Sequence, residues 1–456
     1  MASTVIELEG HIIDSLILPR VWGAIEDAGA HFHVQDMRVG QSELEESYVR
    51  MEVSAETEER LNELMGELQR IGAMPFVERD ARLEPAPQDG VLPDDFYSTA
   101  NLPTFARVNG EWVEVANIEM DVAIVVDPER GAARACPMHA VRAGEMVVVG
   151  YAGVRVEPLE RARQQREAFG FMQSAVSSER AKALAIAEVA QAMRECRERG
   201  ARTLFVLGPA IVHTAARQHV ASLIRKGYIQ VIFGGNAIVA HDVEAAMFGT
   251  SLGVNLTTGQ PVEHGHRNHL RAINTVRGAG SLEEAHRRGM LGDGIIASAL
   301  EQGVTVVLAG SIRDDGPMPG VISDSMEAQG AMREACRGVE VCVMAASMLH
   351  AIATGNMLPA TVKCVVVDIN PAVVTKLADR GTTQAMGLVT DIELFLRALD
   401  ATLERTPMPR YRACLVLMLS FTRLPNTLVA PDGPCSAVKT LPACDTLAIQ
   451  PRAQQQ

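Results

Sequence analysis

The segment Val262-Glu263-His264-Gly265-His266-Arg267-Asn268-His269 packs three histidines, an arginine, an asparagine and a carboxylate into eight residues. Histidine titrates near neutrality, and arginine pairs bidentately with carboxylates. Such a set suits anion binding combined with acid–base work. A His-x-His pair also fits zinc. No cysteine or Glu-x-x-His partner stands at a familiar metal spacing, so no metal is expected. The bland alternative is a solvated loop. The surrounding passage, Phe233 to Gly280, is rich in Gly, Asn and Thr and reads as lacking helical periodicity. Polar loops held between strands are where binding groups collect.

Other candidate groups stand where apolar runs stop. Val365-Val366-Val367-Asp368-Ile369-Asn370 ends in an acid suited to a ribose diol, or to capping a helix that starts at Pro371. Val343 to His350 passes from a strand into Ser347, Met348, Leu349 and His350. Backbone amides at such a turn can hold a diphosphate, although no Gly-x-Gly-x-x-Gly is present. Gly234-Gly235-Asn236-Ala237 permits close approach of a ligand to the backbone, or makes a plain tight turn. Ser311-Ile312-Arg313-Asp314-Asp315 offers groups for a carboxylate and an ammonium, or an internal surface salt bridge. Asp391 follows another strand and equally suits a helix cap.

The elements that hold these groups follow from patterning. Residues 1–78 read strand, helix, strand, strand, helix, the order of a small ferredoxin-like α+β domain. Residues 79–103 are proline-rich and acidic and read as a linker. Residues 104–158 read as short strands with Gly and Pro turns, a β-rich subdomain. From 159 to 404 apolar strands alternate with helices, beginning with a helix at Ser177 to Arg199. That pattern is an α/β fold with a Rossmann-like parallel sheet covered by helices on both faces. Residues 405–456 read as a loosely ordered tail with one apolar piece, Cys414 to Phe421.

Composition bounds the function. The 456 residues are 47% hydrophobic and 21% charged, with a formal net charge of −14. Nucleic-acid binding needs a basic surface and is not expected. No apolar window is long enough to span a membrane, and the N-terminus lacks a signal-peptide pattern. Eight scattered cysteines without Cys-x-x-Cys spacing suit reduced thiols in the cytoplasm.

The runs GPAIVHTAAR, IQVIFGGNAIVAHD, GVNLTTGQPVEHGHRNHLRAIN, VLAGSIRDDGPMP, LHAIATGN and CVVVDINPAVVTKLADRG resemble the archaeal-type ornithine cyclodeaminase family. The same module forms the C-terminal half of cyanobacterial bifunctional arginine dihydrolase/ornithine cyclodeaminase proteins. The N-terminal part is similar to a domain shared with lysine-oxoglutarate reductase/saccharopine dehydrogenase proteins. The resemblance spans roughly residues 5 to 400, and the tail departs from it. It implies an NAD-dependent lyase, a homo-oligomer, that turns L-ornithine into L-proline and ammonia with NAD recycled.

The resemblance places NAD contacts on Asn236, Ala237, Asp315, Ser347, Met348, Leu349, His350, Asp368 and Asp391. For the substrate it leaves Glu263 or Asp314 as base, His264 and His266 as shuttles, and Arg267 or Arg313 as carboxylate clamp. Cys136-Pro137-Met138-His139 is expected to approach the same cleft. Two alternatives stand beside this reading. A lysine/saccharopine-type dehydrogenase would show net NADH change. A non-catalytic NAD or amino-acid sensor would bind without turnover.

Overall fold

The computed structural model describes residues 2–13, 15–41, 45–76, 79–157, 176–177, 182–314, 316–379 and 385–404. The tail from 405 and its apolar piece Cys414 to Phe421 lie outside them. Of the helix expected from Ser177 to Arg199, Lys182–Glu198 is helical, whereas Ser177 itself ends a two-residue strand that pairs into the parallel sheet.

Strands β1 (Ala2–Gly10), β2 (His31–Arg38), β3 (Ser47–Ala55) and β4 (Met74–Pro75) form an antiparallel sheet in the order β2-β3-β1-β4. Helices Ile17–Asp27 and Glu58–Ile71 lie between them in the chain. This is the ferredoxin-like arrangement. Alternate residues of β1 and β3, among them Ile6, Leu8, Val49, Met51 and Val53, join Val21, Ile25, Leu64 and Leu68 in one core. Thr57 caps the second helix by accepting from the Arg60 amide.

Seven strands follow: β5 (Arg82–Pro85), β6 (Thr104–Val108), β7 (Glu111–Ala116), β8 (Ala123–Asp127), β9 (Ala132–Cys136), β10 (Met146–Val149) and β11 (Val154–Val156). Their order is β11-β6-β7-β9-β8-β10-β5. The stretch 79–103, read as a linker, is therefore partly built into this sheet: β5 pairs with β10, and Phe96 and Ser98 bridge to Val149 and Ala123. Its prolines hide a strand because β5 sits at the sheet edge, where a missing N–H is tolerated.

The largest sheet has eight parallel strands. They are β12 (Val176–Ser177), β13 (Arg202–Leu207), β14 (Val231–Gly235), β17 (Thr305–Ala309), β18 (Val321–Ile322), β19 (Val339–Ala345), β20 (Lys363–Asp368) and β21 (Met386–Val389). Between them β15 (Thr250–Ser251) and β16 (Val254–Asn255) make a separate hairpin. The order is β12-β21-β20-β19-β13-β14-β17-β18. Phe205, Ile232, Val343 and Val367 face one core, whereas Leu204, Phe233, Met344 and Val366 face another. Strands apolar on both faces need helices on both faces, as expected. From β13 the chain runs outward through β14 and β17, then returns to β19 on the other side. That reversal is the Rossmann switch point, where ligands bind beyond the carboxyl ends of the strands.

The β-rich sheet is tied to this domain by Glu119, whose two oxygens accept from Arg333 Nε at 2.9 and 3.0 Å. Burial pushes the Glu119 carboxyl up despite the opposing pull of Arg333. A carboxyl with a higher pKa folded than unfolded stabilises most at low pH, and the contribution fades as pH rises through the folded value. Relative to Glu119→Gln, the wild-type melting temperature should therefore fall as pH rises above the ordinary carboxylate value of ~4.3; thermal melts over increasing pH check the slope.

Among the described residues, no helix is long and apolar enough to cross a membrane. The five described cysteines, Cys136, Cys196, Cys336, Cys342 and Cys364, are free and buried. Burial pushes the Cys336 thiol up to about 12, which keeps it protonated and inert.

Candidate active site at the carboxyl edge of the parallel sheet

At the switch point, β13 runs into Gly208 and β19 into Ala346. The Gly208 amide donates to the Ala345 carbonyl at 2.9 Å. A Cβ built on Gly208 would lie 1.7 Å from the Ala346 oxygen, so the two turns touch through bare backbone. Ala346 itself is left-handed, at φ 50°. Gly208→Ala should force these turns apart and cost roughly 1–3 kcal/mol, the usual range for overpacking, read as a lowered melting temperature.

The turn after β19 carries Ser347, Met348, Leu349 and His350. Met348 and Leu349 are exposed at the start of the helix Leu349–Met357. His350 points the other way. Its Nε2 lies 3.3 Å from the Ala309 carbonyl at the end of β17. Its ring also fills the space that a Gly235 side chain would need, with Cε1 3.0 Å from the built Cβ. Burial holds the His350 imidazole below its ordinary pKa, outweighing the Ala309 carbonyl and Asp314, which favour its charge. His350 thus braces the ends of β14 and β17 as a neutral ring.

Asn236 opens the helix Asn236–Phe248 at the end of β14. It is buried, and its Oδ1 accepts from the Met318 amide at 2.9 Å. Ala237, next along, is exposed. After β17, Asp314 folds onto Ser311, accepting from its amide at 2.8 Å and its hydroxyl at 3.2 Å. Arg313 is exposed, and Asp315 lies outside the described residues. After β20, Asp368 Oδ1 accepts from the Asn370 amide at 2.8 Å. Its other oxygen takes no hydrogen bond from the described residues. Asp391 caps the helix Ile392–Glu404, accepting from the Glu393 and Leu394 amides at 2.9 and 3.1 Å. The strand ends therefore gather Asn236, Ala237, the Ser347–His350 turn, Asp368 and Asp391 along one edge of the sheet.

The histidine-rich segment is organised differently from expectation. The passage Phe233 to Gly280 contains two full helices, Asn236–Phe248 and Asn268–Ala279. The first is buried nearly all round, so it has no apolar stripe and no helical signature in the sequence. Glu263 and His264 are exposed and 3.6 Å apart. His266 and Arg267, in a single 3-10 turn, are exposed too. Asn268 and His269 turn inward. Asn268 Nδ2 donates to Thr250 Oγ1 at 3.0 Å, and the His269 ring lies 6.1 Å from that of His241.

They reach a polar network that patterning did not flag. His241 Nδ1 lies 2.9 Å from Glu244 Oε2, and Thr250 Oγ1 donates to Glu244 Oε1 at 2.8 Å. His213 Nδ1 lies 2.6 Å from Ser251 Oγ, and its ring meets His241 edge-on at 4.9 Å. The available signal was three polar residues, His241, Asp242 and Glu244, inside an otherwise apolar run. No described group of His, Cys, Asp and Glu could hold a metal ion.

Three family profiles tile the chain. Residues 3–102 match the LOR/SDH bifunctional enzyme conserved region. Residues 103–186 match the first region, and 187–399 the Rossmann fold, of the C-terminal part of arginine dihydrolase ArgZ-like proteins. The ornithine cyclodeaminase of Methanopyrus kandleri is 51% identical over 401 residues, covering 88% of this chain and 97% of that one.

This chain belongs to the ornithine cyclodeaminase family.

The bifunctional arginine dihydrolase/ornithine cyclodeaminase of a Nostoc species is 42% identical over 89% of this chain and 59% of its own. The crystal structure of the apo form of cyanobacterial ArgZ, an arginine dihydrolase, superposes with a TM-score of 0.78. It is 37% identical and covers 88% of this chain and 58% of that one.

The strand-end geometry of this ornithine cyclodeaminase family member fits a dinucleotide. Ile312, Met348, Leu349 and Ile369 are large, apolar and exposed, at 107%, 49%, 67% and 72%. All four follow the carboxyl ends of β17, β19 or β20, so that edge of the sheet presents apolar side chains to a flat ring. Asp368, a half-buried acid with a spare oxygen, ends β20 next to Ile369. By contrast, a cavity of about 330 Å³ opens in the β-rich region, lined by Gly90 to Phe96 and Met138. It lacks any ring nitrogen or thiol, and Met138 of the Cys136–His139 segment is among its lining residues.

Proposed function

We propose that this protein holds NAD along the carboxyl edge of the eight-stranded sheet and converts L-ornithine into L-proline and ammonia. The observation that carries this is the coincidence, at the carboxyl edge of one Rossmann sheet, of exposed apolar side chains, an acid with an oxygen unused by the described residues and a family match over 88% of the chain.

Bound NAD supplies a reversible hydride acceptor for the substrate α-carbon. Asp368 accepts from a ribose diol through its unused oxygen. Asn236, Ala237 and the Ser347–His350 turn, with Asp315 and Asp391, complete the cofactor side. His350 keeps the two strand ends at a fixed spacing. Arg267 and Arg313, both exposed cations, take the substrate carboxylate, and Glu263 faces one of its ammonium groups. His264 and His266 flank it as exposed proton carriers. Asp314, engaged by Ser311, shapes the β17 turn.

In domain terms, 1–78 is the ferredoxin-like unit, 104–158 the β-rich unit, and 159–404 the NAD-binding catalytic unit. We place the protein in the cytoplasm as a homo-oligomer serving proline formation; its buried free thiols suit a reducing compartment.

Purified protein given L-ornithine and a catalytic amount of NAD should release proline and ammonia in equal amounts, with no net NADH. NADH accumulating with an oxo acid would point to a lysine/saccharopine-type dehydrogenase, and tight NAD binding without turnover to a sensor.

A further inference from the structure

The helix Asn236–Phe248 carries Ala237, His241 and Glu244 on one face, at positions i, i+4 and i+7. Exposure falls steadily along that face. Ala237 is open, His241 is 8% exposed and Glu244 is 0% exposed. The open end is the turn where β14 meets the cofactor side. A charged group at full burial needs several partners, and Glu244 has them. It takes hydrogen bonds from His241 Nδ1 at 2.9 Å, Thr250 Oγ1 at 2.8 Å and the amides of Leu252 and Gly253 at 3.3 Å each. Burial is the largest single influence on it and opposes ionisation. The His241, Thr250 and Gly253 bonds and the His241 charge together outweigh burial and hold the carboxyl below its usual range.

The consequence lies at the other nitrogen of His241. With Nδ1–H committed to Glu244, Nε2 is the nitrogen that carries the lone pair whenever the ring is neutral. Nε2 has no hydrogen-bond partner among the described residues and is not sealed from solvent. The neighbouring His213 is kept below its ordinary pKa, by burial first and then by His241, so it stays neutral and does not compete for the proton.

We propose that His241 is the group that takes the proton of the substrate α-ammonium, beyond the exposed carriers His264 and His266, and that Glu244 is the positioning residue behind it. The proposal rests on the ornithine reading above and deepens it. His241 Nε2 takes one proton from the substrate α-ammonium. The N–H bond breaks, its electron pair stays on the amine nitrogen, and the imidazolium charge is balanced by Glu244. Only the neutral amine can then donate its pair as hydride leaves the α-carbon. The δ-ammonium gives its proton to water, and the freed amine adds to that carbon. His241 then returns its proton to the α-amine. The ring nitrogen releases a proton to water and forms the C=N bond as the bond to the α-nitrogen breaks with its pair on nitrogen. Ammonia leaves, and the hydride returns to the ring carbon.

The test compares wild type with His241→Gln, His241→Ala and Glu244→Gln, each with NAD binding measured by fluorescence titration. His241→Gln should lower kcat for proline roughly 10²- to 10⁴-fold, the range for losing a general base, with the Kd for NAD within about threefold of wild type. Free imidazole should restore part of the activity of His241→Ala. Glu244→Gln should move the ring proton of His241, seen as a changed tautomer in ¹⁵N spectra of the ligand-free protein, and slow turnover. Three results overturn the proposal: His241→Gln turning over within tenfold of wild type, His241→Gln losing NAD binding, or an unchanged His241 tautomer in Glu244→Gln. Wild type failing to make proline would instead remove the ornithine reading and this proposal with it.

Discussion

Asp368→Ala is expected to weaken NAD binding roughly 10- to 100-fold, since a hydrogen bond to a charged group contributes about 1.5–3 kcal/mol. Asp368 ends β20 and spends one oxygen on the Asn370 amide. A turn-forming role would need only that oxygen. Asp368→Asn separates the two roles because it keeps an acceptor for the Asn370 amide and loses the charge. If the acid serves a ribose, Asp368→Asn binds NAD about tenfold more weakly while melting near the wild-type temperature. If it serves the turn alone, NAD affinity is unchanged in Asp368→Asn, and Asp368→Ala loses only stability. Titration of the ligand-free variants with NAD, alongside thermal melts, distinguishes these outcomes.

The largest loss of stability is expected at Arg217. Its Nε donates to Asp242 Oδ1 at 2.6 Å, and its Nη2 to the backbone carbonyls of Asp242, at 3.3 Å, and Asp293. The Asp242 side chain is 3% exposed. Asp242 also receives the amides of Ile295 and Ile296 at 3.1 and 2.9 Å, at the start of the helix Ile295–Gln302. Removing the guanidinium strands that carboxylate in the interior, and breaking a buried pair in this way costs about 3–5 kcal/mol. Arg217→Ala should therefore lower stability by that amount in urea unfolding. Arg217→Lys should recover only part, because an ammonium lacks the fork that reaches Asp242 and the two carbonyls together. Asp242 lies in the same helix as Asn236, His241 and Glu244, so Arg217→Ala should also loosen NAD binding.

Much of this architecture was legible because its causes are local. The strands of the parallel sheet are apolar on both faces and stop at small or polar residues, so Val339–Ala345, before Ala346-Ser347, and Lys363–Asp368 stood out with their ends. Those ends included Asp368 and the Ser347–His350 turn. What stayed hidden depended on tertiary context. The helix Asn236–Phe248 is enclosed on nearly every side and leaves no periodic stripe. His213, His241 and His269 are separated by 28 residues at each step and meet only because that helix packs between the segments that carry them. The run Glu263 to Arg267 drew notice for its density, yet density does not say which way side chains point; the inward members are Asn268 and His269. Asp391 took the cap position that its sequence context equally allowed.

The most direct measurement uses L-ornithine deuterated at C2, incubated with the protein and NAD at a tenth of the substrate concentration. A cyclodeaminase that returns the same hydride yields several equivalents of proline per NAD, each with deuterium at C2, and leaves no NADH at the end. Proline limited to one equivalent per NAD, proline without deuterium at C2, or no proline at all would contradict it.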